Sequence, residues 1–200
     1  MKRQQGTSLL GKVVLVILAI VFATSSTALA NLVVNGGFET GDLTGWTEVG
    51  SNPGSWWVID IPTGAVPHSG GHNASTFPSS DWQYIAQNIA TMPGQSYTVG
   101  FWLSSADNIP ANEFVARWDG VTKIQLLDLA YSDYTYYSYT AVATGTSTTI
   151  DFGYIYNASW FDLDDVSMNP VSTAVPIPGA IWLLGSGMLG LVALKRRFQR

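Results

Sequence analysis

An all-β sandwich or barrel is the fold that the 200-residue sequence predicts for everything between its two ends. Three observations carry it. Short runs rich in aromatic and β-branched residues recur at fairly regular spacing, Gly, Ser, Thr and Asn fill the gaps between them, and no stretch has the periodicity of an amphipathic helix. The expected strands are Leu32–Val34, Trp56–Ile61, Tyr84–Ile89, Ser96–Leu103, Glu113–Trp118, Val121–Asp128, Tyr134–Ala143, Thr148–Tyr156 and Trp160–Met168. Ser51–Pro53 and His68–Asn73 read as loops. Asp119-Gly120 predicts a type I′ hairpin between Phe114–Trp118 and Val121–Leu126, because both residues tolerate the positive φ angles that turn needs. Pro93-Gly94 marks a second turn. No internal repeat is visible.

The ends differ from the middle. Lys2, Arg3 and Lys12 form a basic start, Val13 to Phe22 an apolar run, and Ala28-Leu29-Ala30 a small-residue cleavage site. Together, residues 1–30 read as a secretory signal peptide that leaves Asn31 as the mature N-terminus. The alternative is an uncleaved anchor, although the apolar run is shorter than a spanning helix needs. At the other end, Val175-Pro176-Ile177-Pro178 excludes regular helix and central strand, since each proline fixes φ and lacks an N–H. Ala180 to Leu194 is uncharged and almost wholly apolar, and Lys195, Arg196, Arg197 and Arg200 close the chain. Fifteen helical residues reach about 22 Å, short of a ~30 Å hydrocarbon core; starting at Ile177, with Trp182 and the basic tail as anchors, brings the stretch nearer to spanning length. The basic cluster (Lys195, Arg196, Arg197) acts as a stop-transfer signal on the cytoplasmic side, leaving the rest of the chain outside. Residues 171–174 are a short spacer between a domain of residues 31–170 and this tail.

The tail of residues 175–200 resembles the PEP-CTERM sorting signal of exported Gram-negative proteins, the substrate signal of exosortases. Val175, Pro176, Ile177 and Pro178 stand at its proline motif, with Ile177 where glutamate is usual, and Trp182-Leu183-Leu184-Gly185-Ser186-Gly187 with Leu189-Gly190-Leu191 fits a known variant of its helix. The resemblance implies transient anchoring in the inner membrane and cleavage near Pro176–Pro178. With signal peptidase and the general secretion machinery as further partners, the product is expected at the cell surface or in the extracellular matrix.

Charge sorts the chain the same way. Of nine Lys and Arg only Arg117 and Lys123 lie between the ends, whereas all fourteen Asp and Glu lie there, a balance of −12. A surface of that sign repels phosphate backbones, which excludes nucleic acid as a partner. The absence of cysteine excludes disulfides and thiolate metal sites.

The domain opens with Asn31-Leu32-Val33-Val34-Asn35-Gly36-Gly37-Phe38-Glu39 and Gly45-Trp46, continues through Tyr97–Leu103 and the Trp118-Asp119-Gly120 hairpin, and closes with Trp160-Phe161-Asp162-Leu163-Asp164-Asp165-Val166-Ser167. This order resembles the galactose-binding-like jelly rolls, the fold of many carbohydrate-binding modules, over essentially all of residues 31–169. The resemblance implies that the first and last strands lie together and hold a structural Ca²⁺, with Glu39 and Asp164 or Asp165 as ligands. No other cofactor is expected. By alternation along a strand, Asp162 and Asp164 share one face and Asp165 takes the other.

Aromatic rings match the C–H faces of sugars. Trp46, Phe101 and Phe152 alternate with small residues and read as core. Trp56, Trp57, Trp82, Tyr84, Trp118 and Tyr154 lie in or near turns and are the candidate ligand contacts, with alternation sending one of Trp56 and Trp57 inward. The run Tyr131–Tyr139 reads as a strand with one wet face. His68 and His72 have the spacing of a metal pair but sit in a Gly/Ser loop without a third ligand. No nucleophile elbow or marked carboxylate pair is present, so no catalytic residue is assigned. The expectation is an exported, non-catalytic protein binding a neutral or Ca²⁺-bridged polysaccharide. The rivals are a small glycan-active hydrolase and a purely structural matrix protein.

Overall fold

The computed structural model describes residues 30–60, 66–156 and 158–172, which leaves the expected signal peptide and the expected sorting segment, Val175–Pro178 and Lys195–Arg197 included, outside the described residues. Ten strands appear among the described residues: β1 (Thr47–Gly50), β2 (Trp56–Asp60), β3 (His72–Thr76), β4 (Ser79–Ala90), β5 (Ser96–Ser105), β6 (Glu113–Trp118), β7 (Val121–Leu127), β8 (Ser132–Val142), β9 (Ser147–Tyr156) and β10 (Phe161–Pro170). They form two five-stranded sheets. Sheet I has the order β1-β4-β9-β6-β7 and sheet II the order β2-β3-β10-β5-β8, with every recorded pairing antiparallel. Among the described residues no helix is long and apolar enough to cross a membrane.

Period-two alternation builds the space between the sheets. Tyr97, Val99, Phe101 and Leu103 of β5 point inward, as do Ile150, Phe152, Tyr154 and Tyr156 of β9 and Phe114, Ala116 and Trp118 of β6. Phe101 meets Phe152 edge-on at 5.0 Å, and Phe114 meets Phe161 at 5.6 Å. Both are the arrangement that ring quadrupoles favour.

The Asp119-Gly120 hairpin forms as expected, with φ +49° and +75° at its two central residues. Two expectations differ. Leu32–Val34 is not a strand. Asn31 takes over the strand-like bonds, its side chain donating to Val166 O and accepting from the N–H groups of Val33 and Met168, and the chain then turns through Asn35 at φ +51°. Conversely, His72–Thr76, read partly as loop, is the strand β3, inserted between β2 and β10. Leu32 N still donates to Met168 O, so the first segment and the last strand lie together as the resemblance implied.

Trp56 belongs to this core: it is 2% exposed and meets the Tyr154 ring edge-on at 5.3 Å. Trp56→Ala is therefore expected to lower unfolding free energy by about 3–5 kcal/mol in urea titration. Trp57→Ala, one residue on and facing out, is expected to cost only about 1 kcal/mol, the scale of its ring contact. Equal losses at the two positions would contradict this register.

Candidate functional site

The outer face of sheet II is assembled row by row. Trp57 of β2 stands opposite Ser75 of β3, Ser75 opposite Asp162 of β10, and Asp162 opposite Ser104 of β5. One row further on, Asp164 stands opposite Trp102, and Trp102 opposite Tyr136 of β8. Residues 66–71 cross this second row. Ser69 N donates to Asp164 Oδ2 at 3.1 Å, and Ser69 Oγ donates to Asp165 Oδ1 at 2.8 Å. The His68 ring lies 3.8 Å from that of Trp102 at an interplanar angle of 16°, with Nδ1 2.7 Å from Asp165 Oδ2.

On the near side of this crossing segment the first row floors a cleft of about 1060 Å³. Trp57 stacks on Phe77 at 4.7 Å along one wall, and Trp160, Tyr131 and Tyr134 contribute to the others. Trp57 is 42% and Trp160 47% exposed. Asp162 Oδ1 accepts from Ser75 Oγ and from Asn73 Nδ2, and Oδ2 accepts from Ser104 Oγ at 3.3 Å. Burial pushes the Asp162 carboxyl above its ordinary range, opposed by these hydrogen bonds. The Tyr134 hydroxyl is likewise raised, by burial first and then by the carboxylates of Asp162, Asp164 and Asp165. Aromatic walls over a floor of hydroxyls and a carboxylate are the composition that sugar recognition calls for.

The candidate sugar contacts divide three ways. Trp57 lines the cleft. Trp56, Trp118 and Tyr154 do not reach it: they are buried between the sheets, Trp118 because its register with Ile150 turns it inward next to the hairpin. Trp82 and Tyr84 lie on the outer face of sheet I, away from Trp57. There the Tyr84 ring lies flat against Gly153, where a Cβ would collide with it, and the Arg117 guanidinium stands 3.9 Å from its centroid. Trp82 stacks on Tyr84 at 5.7 Å, and Arg117 Nε donates to Asp151 Oδ1. Phe77, Trp160, Ser75 and Ser104 were not singled out from sequence. Trp160 was visible only as part of the closing motif, and the two serines acquire a role only through strand register.

Glu39, Asp164 and Asp165 all border Gly37. A Cβ placed there would stand 3.4 Å from Asp165 Oδ1 and 3.8 Å from both Asp164 Oδ1 and Glu39 Cγ. Asp165 does not take the opposite face from Asp164. A bulge between Asp164 and Ser167, with Asp165 at φ +48°, turns both carboxylates toward Ser69. All four oxygens of the two aspartates have donors beside them here: Asp165 N and Ser69 N on Asp164, Ser69 Oγ and the His68 ring on Asp165. The Glu39 carboxylate likewise accepts the N–H groups of Gly71 and His72, and among the described residues no three His, Asp or Glu side chains gather closely enough to hold an ion together. His68 and His72 face different carboxylates, Asp165 and Glu39.

No protein-family model matches the chain, and no curated protein matches it in sequence. Solved structures match its shape. TmCBM61, in a complex with β-1,4-galactotriose, aligns over 71% of this chain and 99% of its own with a TM-score of 0.59 and 17% identity. The CBM22-1 xylan-binding domain of Paenibacillus barcinonensis Xyn10C aligns over 75% of this chain and 100% of its own, with TM-score 0.52 and 16% identity. The fold is the jelly-roll β-sandwich of these modules. The enzymatically active domain of bacteriophage CBA120 tailspike protein 4 also aligns, over 70% of this chain but 21% of its own, with TM-score 0.53 and 15% identity.

Asp164 is fully buried, and burial pushes its carboxyl up to about 7 against the backbone N–H groups of Ser69 and Asp165. The folded state therefore binds this proton more tightly than the unfolded chain does. Stability from this group is present in full below the ordinary carboxylate pKa and is lost as pH rises through about 7. In EDTA the melting temperature is expected to fall as the pH is raised across that window, and Asp164→Asn to flatten the fall. A wild-type curve that is flat or rises over the same window would contradict the burial.

Proposed function

We propose that this is an exported, non-catalytic polysaccharide-binding protein of a Gram-negative cell surface or extracellular matrix, with its glycan lying in the cleft of sheet II. The observation that carries the reading is the exposed Trp57–Phe77 stack and Trp160 lining a polar floor centred on Asp162. Fold likeness by itself does not specify a ligand. The lining supports a class of glycan: among the described residues its ionisable side chains are Asp133, Asp162, His68 and the two tyrosines, with no lysine or arginine. Such a cleft repels uronates and sulfates and accepts chains without anionic groups. We further propose the route implied by the ends of the sequence. Signal peptidase removes residues 1–30, and an exosortase cuts near Pro176–Pro178 while Lys195, Arg196 and Arg197 hold the tail on the inner side of the membrane. A structural Ca²⁺ on Asp164 and Asp165, with Glu39 as the third expected ligand, completes the proposal. It needs the N–H groups of Ser69, Gly71 and His72 to yield part of their present hold on these carboxylates.

In affinity electrophoresis on a panel of polysaccharides, Trp57→Ala and Trp160→Ala are expected to weaken retention roughly tenfold, about 1.4 kcal/mol each, with little change in melting. Trp82→Ala is expected to leave retention unchanged. Loss of retention from Trp82→Ala alone moves the site to sheet I, and release of reducing ends from a bound glycan makes the protein an enzyme. Millimolar Ca²⁺ is expected to raise the melting temperature and remove its pH slope; identical curves in Ca²⁺ and EDTA rule the ion out. Intact mass of the exported species is expected to lack both ends, and a secreted form still carrying residues 182–200 contradicts the processing route.

A further inference from the structure

We propose that the cleft selects glycans bearing free amino groups, chains of de-N-acetylated hexosamine, over uncharged chains of the same linkage and length. The inference rests on the polysaccharide-binding reading and narrows it.

The floor is the first reason. Asp162 is 8% exposed, yet every partner it has is neutral: two serine hydroxyls and an asparagine amide. A carboxylate withdrawn from water without a cation carries an uncompensated desolvation cost. No lysine or arginine stands nearby among the described residues: Arg117 and Lys123 lie on β6 and β7 of the other sheet, and His68, which lines the cleft, has its Nδ1 on Asp165 rather than Asp162. A ligand ammonium placed against Asp162 offsets that cost, and a ligand hydroxyl does so only in part.

Hydrogen-bond valence is the second reason. Asp162 Oδ1 accepts from two donors, whereas Oδ2 accepts only from Ser104 Oγ at 3.3 Å and keeps acceptor capacity toward the cleft. An ammonium brings three donors and no acceptor, so it answers a carboxylate oxygen that still has acceptor capacity. The walls act in the same direction. Trp57, Phe77 and Trp160 present ring faces whose negative potential attracts a cation as well as the C–H face of a pyranose. Asp133 at the mouth and the −12 balance of the domain steer cations inward. N-acetylation removes the charge and two of the three donors, so the acetylated polymer loses both advantages.

The test is calorimetric titration of the full chain, at one pH and fixed ionic strength, with the β-1,4-linked hexamers of glucosamine, N-acetylglucosamine and glucose. The glucosamine hexamer is expected to bind at least tenfold tighter than the other two. Asp162→Asn is expected to bring the three within about twofold. Asp81→Asn, the same change of charge at an exposed position on β4, is expected to leave the ratio intact. Should Asp162→Asn fail to fold, Asp133→Asn is expected to reduce the ratio about threefold with an unchanged melting curve. Equal affinities for the three hexamers in the wild type overturn the inference and leave the polysaccharide reading standing. A ratio that falls as much in Asp81→Asn as in the cleft variants also overturns it, because the preference is then only attraction between opposite net charges. Failure of all three hexamers to bind overturns the inference, and the polysaccharide reading falls with it only if retention on the electrophoresis panel is absent as well.

Discussion

Strand β10 is the element on which the rest of sheet II depends. Its inward side chains, Phe161, Leu163, Val166 and Met168, are all buried against the aromatic core, and the first outward side chains, Asp162 and Asp164, are carboxylates in the middle of a sheet. β3 and β5 flank Asp162 on both sides, and Asp164 lies between Trp102 of β5 and Ser69, so neither carboxylate has an open route to bulk water along the sheet plane. Apolar burial of one face thus enforces the burial of charge on the other. The neighbouring strands respond with the residues that a stranded carboxylate needs: Ser75 and Asn73 from β3 and Ser104 from β5. Ser69 of the crossing segment does the same for Asp164. Such a network is stabilising only while each member keeps its partner.

The bulge after Asp164 links this network to the N-terminal segment. One extra residue at this point shifts the inward set from Phe161 and Leu163 to Val166 and Met168. The shift brings Val166 N onto Gly36 O at 2.9 Å, where any side chain at position 36 would collide with the Val166 carbonyl. The first glycine of the opening motif is thereby explained on packing grounds: Gly36 admits the backbone of β10. Glu39 then ties Gly71 and His72 to the same end, setting the path of the segment that carries His68 over Trp102.

The sandwich was legible in the sequence because its long strands alternate strongly. In Tyr97–Leu103 every second residue is large and apolar, and the strand forms where it is expected. The short strands were illegible for the converse reason. His72–Thr76 has no alternation of polarity, and its residues are buried by the strands on either side rather than by their own hydrophobicity. The site was legible only in part. Alternation states that one of Trp56 and Trp57 faces out, but the choice is made by Tyr154 of the other sheet, which Trp56 meets. Trp118 sits beside a hairpin tip and reads as exposed until its pairing with Ile150 turns it inward. The aspartates were visible as a cluster, whereas the separation of Asp162, in the cleft, from Asp164 and Asp165, beneath the crossing segment, is a property of the tertiary path alone.

The central claim is that the ligand surface is the cleft of sheet II and not the aromatic face of sheet I. The side-chain indole N–H signals of the tryptophans report on it directly in a proton–nitrogen correlation spectrum recorded during glycan titration. Trp57 and Trp160 are expected to move progressively with added ligand while Trp82, Trp56 and Trp118 stay in place. Movement of the Trp82 signal with Trp57 and Trp160 unmoved would contradict the account.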